Sequence, residues 1–306
     1  MNPVVDPVVD PVVNPAGPPG GIAVCIKWVD RRPEVDALTG EVVHDPRTAG
    51  ASDSDEAALE WALRLGQAWH RPVMALCAGL AGADTVMREA LAVGASHAVR
   101  IDCAPDTPSD IVAAALAGTL PENCPLVVCG TWSLDRGSGS VPAFVAAYRG
   151  AAQALGLISL SPASDDSPDG SPDGSLGTRV GSLLAERRLD GGRRERLRIP
   201  LPAVISVEGG SARLRRAPLA KVLETRSAAI PTVPGPRAAP RASSPCVPYR
   251  PRARVRPAPV SASARERILE LTGAAGDSTH PQRLALDPPA AAARVLEQLR
   301  TWGYLA

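Results

Sequence analysis

Residues 125–150 read PLVVCGTWSLDRGSGSVPAFVAAYRG, and this stretch decides the fold. Leu126 to Cys129 is an unbroken apolar run that stops at Gly130, the pattern of a parallel strand buried on both faces. Thr131 follows, and then the small polar run Asp135-Arg136-Gly137-Ser138-Gly139-Ser140. Pro142 fits the first turn of a helix, where its missing N–H costs nothing, and Phe144, Ala147 and Tyr148 fall at helical spacing as the expected apolar face. The stretch therefore predicts a strand, a short loop and a helix N-terminus. The first N–H groups of a helix lack internal partners and carry partial positive charge, so such a junction can hold an anion. Gly137 and Gly139 allow a close backbone approach, and Ser138 and Ser140 offer hydroxyl donors. The glycine spacing is neither of the two well-known phosphate-loop spacings. On the residues alone, the loop reads either as an ordinary strand-to-helix turn or as a nucleotide site.

Moving outward, the same alternation repeats. IAVCI at residues 22–26 predicts a buried strand closed by Lys27-Trp28-Val29-Asp30. Lys27 is one of only two lysines, with Lys221, in a chain rich in arginine, so it reads as a positioned amine or as a chance survivor. Residues 31–50 are polar, with a Thr39-Gly40 turn expected between short extended pieces. Ser52-Asp53-Ser54-Asp55-Glu56 opens a helix whose buried stripe is Ala58, Leu59, Ala62, Leu63 and Leu65. VMALC at 73–77 predicts the next strand, Asp84 is expected to cap a helix that Gly94 ends, Ala98 to Ile101 is a strand, and Ser109 or Asp110 starts another helix. Four rounds of strand and helix imply a doubly wound α/β fold with a mainly parallel sheet and helices on both faces. In such sheets ligands bind beyond the carboxyl ends of the strands where the winding reverses. The segments after Ile26, Cys77 and Cys129, with the cap at Ser52, are expected to share one crevice.

Composition narrows the function. The 306 residues carry a net charge of +1, which gives no general reason to expect nucleic acid. No apolar stretch reaches bilayer length and no charged segment precedes an apolar one, so a cytoplasmic protein is expected. Cysteines 25, 77, 103, 124, 129 and 246 form no CxxC pair and mostly sit in apolar runs, as buried free thiols would; with four scattered histidines, no metal site is expected.

The flanks read differently. Residues 1–20 repeat a PVVD unit, and proline at every fourth place predicts an extended or disordered arm. DDSPDGSPDGSLG at 165–177 predicts an exposed loop. Leu183–Leu189 and Glu195–Ile199 around Asp190-Gly191-Gly192 predict an arginine-rich β-hairpin, AVISV at 203–207 a strand, and 214–223 a partly helical piece. Residues 227–262, rich in proline and arginine, predict an extended linker. Beyond it Ser263 caps ARERILEL, and Asp287 starts a terminal helix with Val295, Leu296, Leu299 and Trp302 as its apolar stripe. Residues 263–306 would then form a C-terminal arm.

The order IAVCIKWVD, DEAALEWALRL, MALCAGLAGADTVMREALAVGA, PLVVCG with its Asp-led loop, and LDGGRRERLRIPLPAVISVE resembles the beta subunit of electron transfer flavoproteins over residues 22 to 226. The resemblance implies an adenine-nucleotide-binding α/β domain over 21–226 and an arm with a terminal helix against an alpha subunit. It also implies an electron carrier rather than an enzyme: a heterodimer whose FAD is held mainly by the alpha subunit, whose beta subunit binds AMP, and which links a dehydrogenase to a quinone-linked acceptor. Carried over position by position, the nucleotide site falls on Cys25, Ser52, Asp53, Ser54, Asp55, Ala78, Gly130, Thr131, Asp135, Arg136, Gly137, Ser138, Gly139, Ser140 and Val141. The chain departs from the family pattern at Ser52-Asp53-Ser54, whose added carboxylates oppose an anion, at Gly139-Ser140-Val141-Pro142, where Arg136 is the expected compensating cation, and at the partner-docking loop, here GGSARLRR at 209–216. In its linker and altered loop it is similar to divergent forms encoded alongside mycofactocin-dependent redox systems. Two other readings stand beside this one: a universal-stress-type or adenylating ATP-binding protein, and a structural subunit without a nucleotide.

Overall fold

The computed structural model describes residues 20–36, 38–43, 45, 47–163, 182–236, 258–272 and 284–305. The expected N-terminal arm up to residue 19, the acidic loop at 165–177, most of the proline linker and Cys246 lie outside them. The chain divides into two compact units, Met1–Pro248 and Tyr249–Ala306.

The first unit runs β1 (Ile22–Cys25), β2 (Val29–Asp30), β3 (Glu34–Val35), β4 (Val42–Val43), β5 (Ala49–Gly50), α1 (Asp53–Ala68), β6 (Val73–Gly79), α2 (Asp84–Val93), β7 (His97–Asp102), α3 (Ser109–Thr119), β8 (Leu126–Gly130) and α4 (Val141–Arg149). It continues with β9 (Ala152–Pro162), β10 (Ser182–Arg188), β11 (Arg194–Pro200), β12 (Ala203–Val207), α5 (Leu219–Thr225) and β13 (Thr232–Pro234). Nine strands form one sheet in the order β11-β10-β9-β12-β8-β1-β6-β7-β13. The pairings from β9 through to β13 are parallel, and β10 and β11 add an antiparallel hairpin at one edge. The expected doubly wound α/β class is what the chain adopts: the chain goes from β1 outward to β6 and β7, then returns to place β8 on the other side of β1.

Strand alternation builds two cores. Ile22 and Val24 point to the face covered by α1 and α2, with Ala57, Ala58, Ala62 and Met87. Ala23 and Cys25 point to the other face, covered by α3 and α4, with Ala113, Leu116, Val145 and Ala146. Burial on both faces explains why the central strands read as continuous apolar runs.

Three expectations need correction, and one strand is additional to them. Helix α4 buries Pro142, Val145 and Ala146, whereas Phe144 and Tyr148 are 39% and 55% exposed; the larger side chains lie on the outer face because the small ones let α4 sit close to the sheet. Asp84 is inside α2 rather than capping it, and its carboxylate accepts from Arg100 Nε at 2.8 Å. Strand β9, which carried no period-two pattern, exists: its buried residues are Ala154, Leu157 and Leu160, because a register shift against β12 around Gly156, at φ +70°, breaks the alternation. The proline-rich linker stretch opens on β13, which pairs with β7 through Thr232 and Arg100.

The second unit contains α6 (Ala264–Thr272) and α7 (Pro288–Thr301). The expected caps form, Ser263 Oγ accepting from Glu266 N at 3.2 Å and Asp287 Oδ1 from Ala290 N at 2.9 Å. Val295, Leu296 and Trp302 on α7 are exposed.

Candidate functional site

A cavity of about 450 Å³ opens at the carboxyl ends of the central strands. Its walls come from the connections that follow β1, β6, β7 and β8, so the three strand-end segments expected to meet do meet, at the point where the winding reverses. Cys25, Asp55, Ala78, Gly130, Thr131, Asp135, Arg136, Ser138, Gly139, Ser140 and Val141 line it; Ser52, Asp53, Ser54 and Gly137 do not.

The floor is set by α1 and β8. Ser52 caps α1, accepting from Asp55 N at 3.2 Å while its hydroxyl lies 2.8 Å from Asp55 Oδ2. Ser54 Oγ donates to the carbonyl of Trp132 at 3.1 Å and so ties the helix to the loop after β8. Two of the four residues of this cap therefore have structural roles, and Asp53 is exposed outside the cavity. Gly130 has to be glycine, since a Cβ there would lie 2.6 Å from Asp55 Oδ1 and 2.7 Å from Ser54 Oγ. Burial pushes the Asp55 carboxyl up to about 6, against the hydrogen bonds of Ser52 and the backbone and charge of Lys27 that favour its ionised form. Cys25 and Cys129 are register partners on β1 and β8; contact with Cys129 and then burial hold the Cys25 thiol well above its ordinary value, in its protonated form.

The roof is the loop after β8. Gly139, at φ +59°, could carry no Cβ without meeting the Thr131 carbonyl at 2.6 Å. Ser138 and Ser140 hydroxyls lie 3.0 Å apart, and no side chain caps α4, which leaves its first-turn N–H groups for an incoming acceptor. Thr131 Oγ1 is buried with no partner, the one such side-chain atom among the described residues.

Charge at the rim is paired. Lys27 Nζ lies 2.5 and 2.7 Å from the two carboxylate oxygens of Asp135. Partial burial works to raise the Asp135 carboxyl, and the Lys27 and Ser133 hydrogen bonds outweigh it and hold the group below its ordinary value. Arg136, expected as a free compensating cation, instead donates to the carbonyls of Thr107 at 2.6 Å and Pro105 at 2.5 Å. Asp30 and Asp45 also reach the cavity.

Sequence reading missed the wall formed by Cys103 to Val112 and the indoles of Trp28 and Trp132. The strand-end rule that located the other segments would have found the first, had it been applied to β7. Trp28 leans on Gly82, where a Cβ would come within 2.8 Å of the ring. Among the described residues no cluster of three metal-ligating side chains occurs, and no helix is long and apolar enough to cross a membrane.

The sheet order, the crevice at the switch point, the glycine-serine loop and the uncapped helix start together define a doubly wound α/β protein with a ligand-sized crevice at its strand ends. A family model described as electron transfer flavoprotein domain matches residues 41–238. The chain belongs to the electron transfer flavoprotein family, as a beta-type member. No curated protein matches it.

Proposed function

We propose that this chain is the beta subunit of a heterodimeric electron transfer flavoprotein, holding AMP as a structural ligand and completing the binding of an FAD carried mainly by an alpha subunit. The observation that supports this reading best is the meeting of the strand-end segments after Ile26, Cys77 and Cys129 with the start of α1 in one cavity. The backbone from Ser138 to Val141 and the first turn of α4 would take the phosphate, and the apolar wall of Cys25, Ile26, Ala78 and Leu80 would take the base. The flavin, when bound, supplies the redox chemistry. The polypeptide's part is to position it, exclude water from it and present a docking face, which makes the subunit a carrier rather than an enzyme.

The docking face is argued from the 209–216 loop. Arg215 grips buried Glu60 on α1 with N, Nε and Nη2 at 3.0–3.2 Å, and Trp61 Nε1 donates to Ser211 Oγ at 3.2 Å. Arg213 and Arg216 are exposed and form no ion pair among the described residues. A basic loop held rigid on a helix suits an acidic dehydrogenase surface and steers its approach. The likeness to forms encoded alongside mycofactocin-dependent systems gives the donor side of the proposal, and a quinone-linked acceptor its other end.

Co-expression with a flavin-binding alpha subunit tests the reading. Co-purification of the two chains at equal ratio, with AMP or FAD released on denaturation and identified by mass spectrometry, is the expected result. Failure to form a heterodimer overturns it. ATP hydrolysis or adenylation by the isolated chain would favour the ATP-binding alternative, and a heterodimer without any adenylate would favour the structural one.

A further inference from the structure

We propose that Arg136 is the size filter of the cavity, a bar that admits an adenine mononucleotide and turns away ligands extended by a second phosphoryl group. The inference rests on the nucleotide reading above and gives it a specificity residue.

The argument is topological. Arg136 lies on the connection after β8, whereas Pro105 and Thr107 lie on the connection between β7 and α3. In the sheet, β1 and β6 stand between β8 and β7. The two hydrogen bonds from the Arg136 guanidinium to the Thr107 and Pro105 carbonyls, at 2.6 and 2.5 Å, therefore cross above the carboxyl ends of β1 and β6, where the crevice opens. All three residues line the cavity, and Arg136 is exposed, so the link sits at the mouth rather than the floor. A second tie, Lys27 to Asp135, closes the same loop onto the end of β1 one residue earlier.

The enclosed space, about 450 Å³, lies toward the small end of ligand pockets, which run from roughly 300 to 1,000 Å³. A ligand that continues past its first phosphate meets the Arg136 link at the mouth and has to break it to extend further. The guanidinium keeps its charge, but both terminal nitrogens are engaged by carbonyls, so a further phosphoryl group passing this way has to displace those hydrogen bonds. Carbonyl acceptors on a separate loop make the bar specific to arginine, whose planar fork reaches both at once.

The full-length chain is titrated with AMP, ADP, ATP and FAD, following the fluorescence of Trp28 and Trp132 and confirming by calorimetry, beside Arg136→Ala and Arg136→Gln. The wild-type chain should prefer AMP over each longer ligand by about tenfold or more. Either variant should shrink that ratio to about threefold or less. A general loss of fold would weaken all four ligands together, so the ratio separates selection from support, and circular dichroism checks the fold directly. An unchanged ratio in both variants overturns the proposal, as does a selective loss of ADP and ATP, which would make Arg136 a phosphate ligand. A wild-type chain that binds none of the four overturns the nucleotide reading instead.

Discussion

Asp55→Asn should make the protein less sensitive to rising pH. Asp55 is 6% exposed, packed against Gly130 at the cavity floor, and its proton affinity is raised from an ordinary 3.8 to about 6 by burial. The native state therefore binds more protons than the unfolded chain between these values, and stability falls as pH rises through that window. At about 1.4 kcal/mol for each tenfold change in proton affinity, the loss at full ionisation is roughly 3 kcal/mol. Asparagine has no proton to lose. Its amide oxygen can still accept from Ser52, while its NH₂ brings a donor of its own, so the absolute offset between the two proteins is set by that exchange. The pH dependence of the difference is not. Urea unfolding of both proteins, followed by tryptophan fluorescence at pH 4.5, 5.5, 6.5 and 7.5, measures it. The variant should gain on the wild type by about 2 kcal/mol from the lowest to the highest pH, roughly 1 kcal/mol of the total having been lost already at pH 4.5, with most of the gain complete by pH 7. A difference flat to within about 0.5 kcal/mol would show a carboxylate that water or Lys27 already satisfies, and a difference of opposite sign would refute the burial argument outright.

Three further outcomes follow from the same packing. Gly130→Ala should cost about 1–3 kcal/mol in denaturant unfolding, because the backbone of Ser54 as well as the Asp55 carboxylate crowds the new methyl. Arg215→Ala should cost about 1–3 kcal/mol, leaving buried Glu60 to Arg64 alone, and should speed tryptic cleavage at Arg213. Arg100→Met removes the donors to Asp84, Asp102, the Gly79 carbonyl and Thr232; with both carboxylates partly solvated the expected cost is about 2 kcal/mol, and hydrogen exchange should rise selectively across β13.

The central strands were legible because each is buried on both faces and reads as an apolar run, and the helices between them because each buries a single stripe. Strand β9 was hidden by its own irregularity at Gly156, which moves buried residues to a spacing of three. Strand β13 was hidden by its proline neighbours, and nothing local marks it, since what holds Thr232 is Arg100, 132 residues earlier. The face of α4 was misread because size was taken for burial, whereas contact with the sheet selects Val145 and Ala146 over Phe144 and Tyr148. In the site, strand ends and the cap of α1 were recoverable from position in the fold. The partners of Arg136 were not, because they are backbone carbonyls, and any residue type at 105 and 107 would present them.

Helix α1 touches the cavity with its first turn, through Asp55 beneath Gly130 and Ser54 on the Trp132 carbonyl, and two turns later holds the 209–216 loop through Glu60 and Trp61. One rigid element therefore fixes both the floor of the ligand cavity and the loop by which the proposed carrier would meet its donor. Changes to that loop are constrained by the same helix that shapes the cavity, because the Glu60–Arg215 pair anchors the loop on α1. The pair shares no hydrogen-bond partner with Arg136, so substitutions at the two places should add nearly independently in stability.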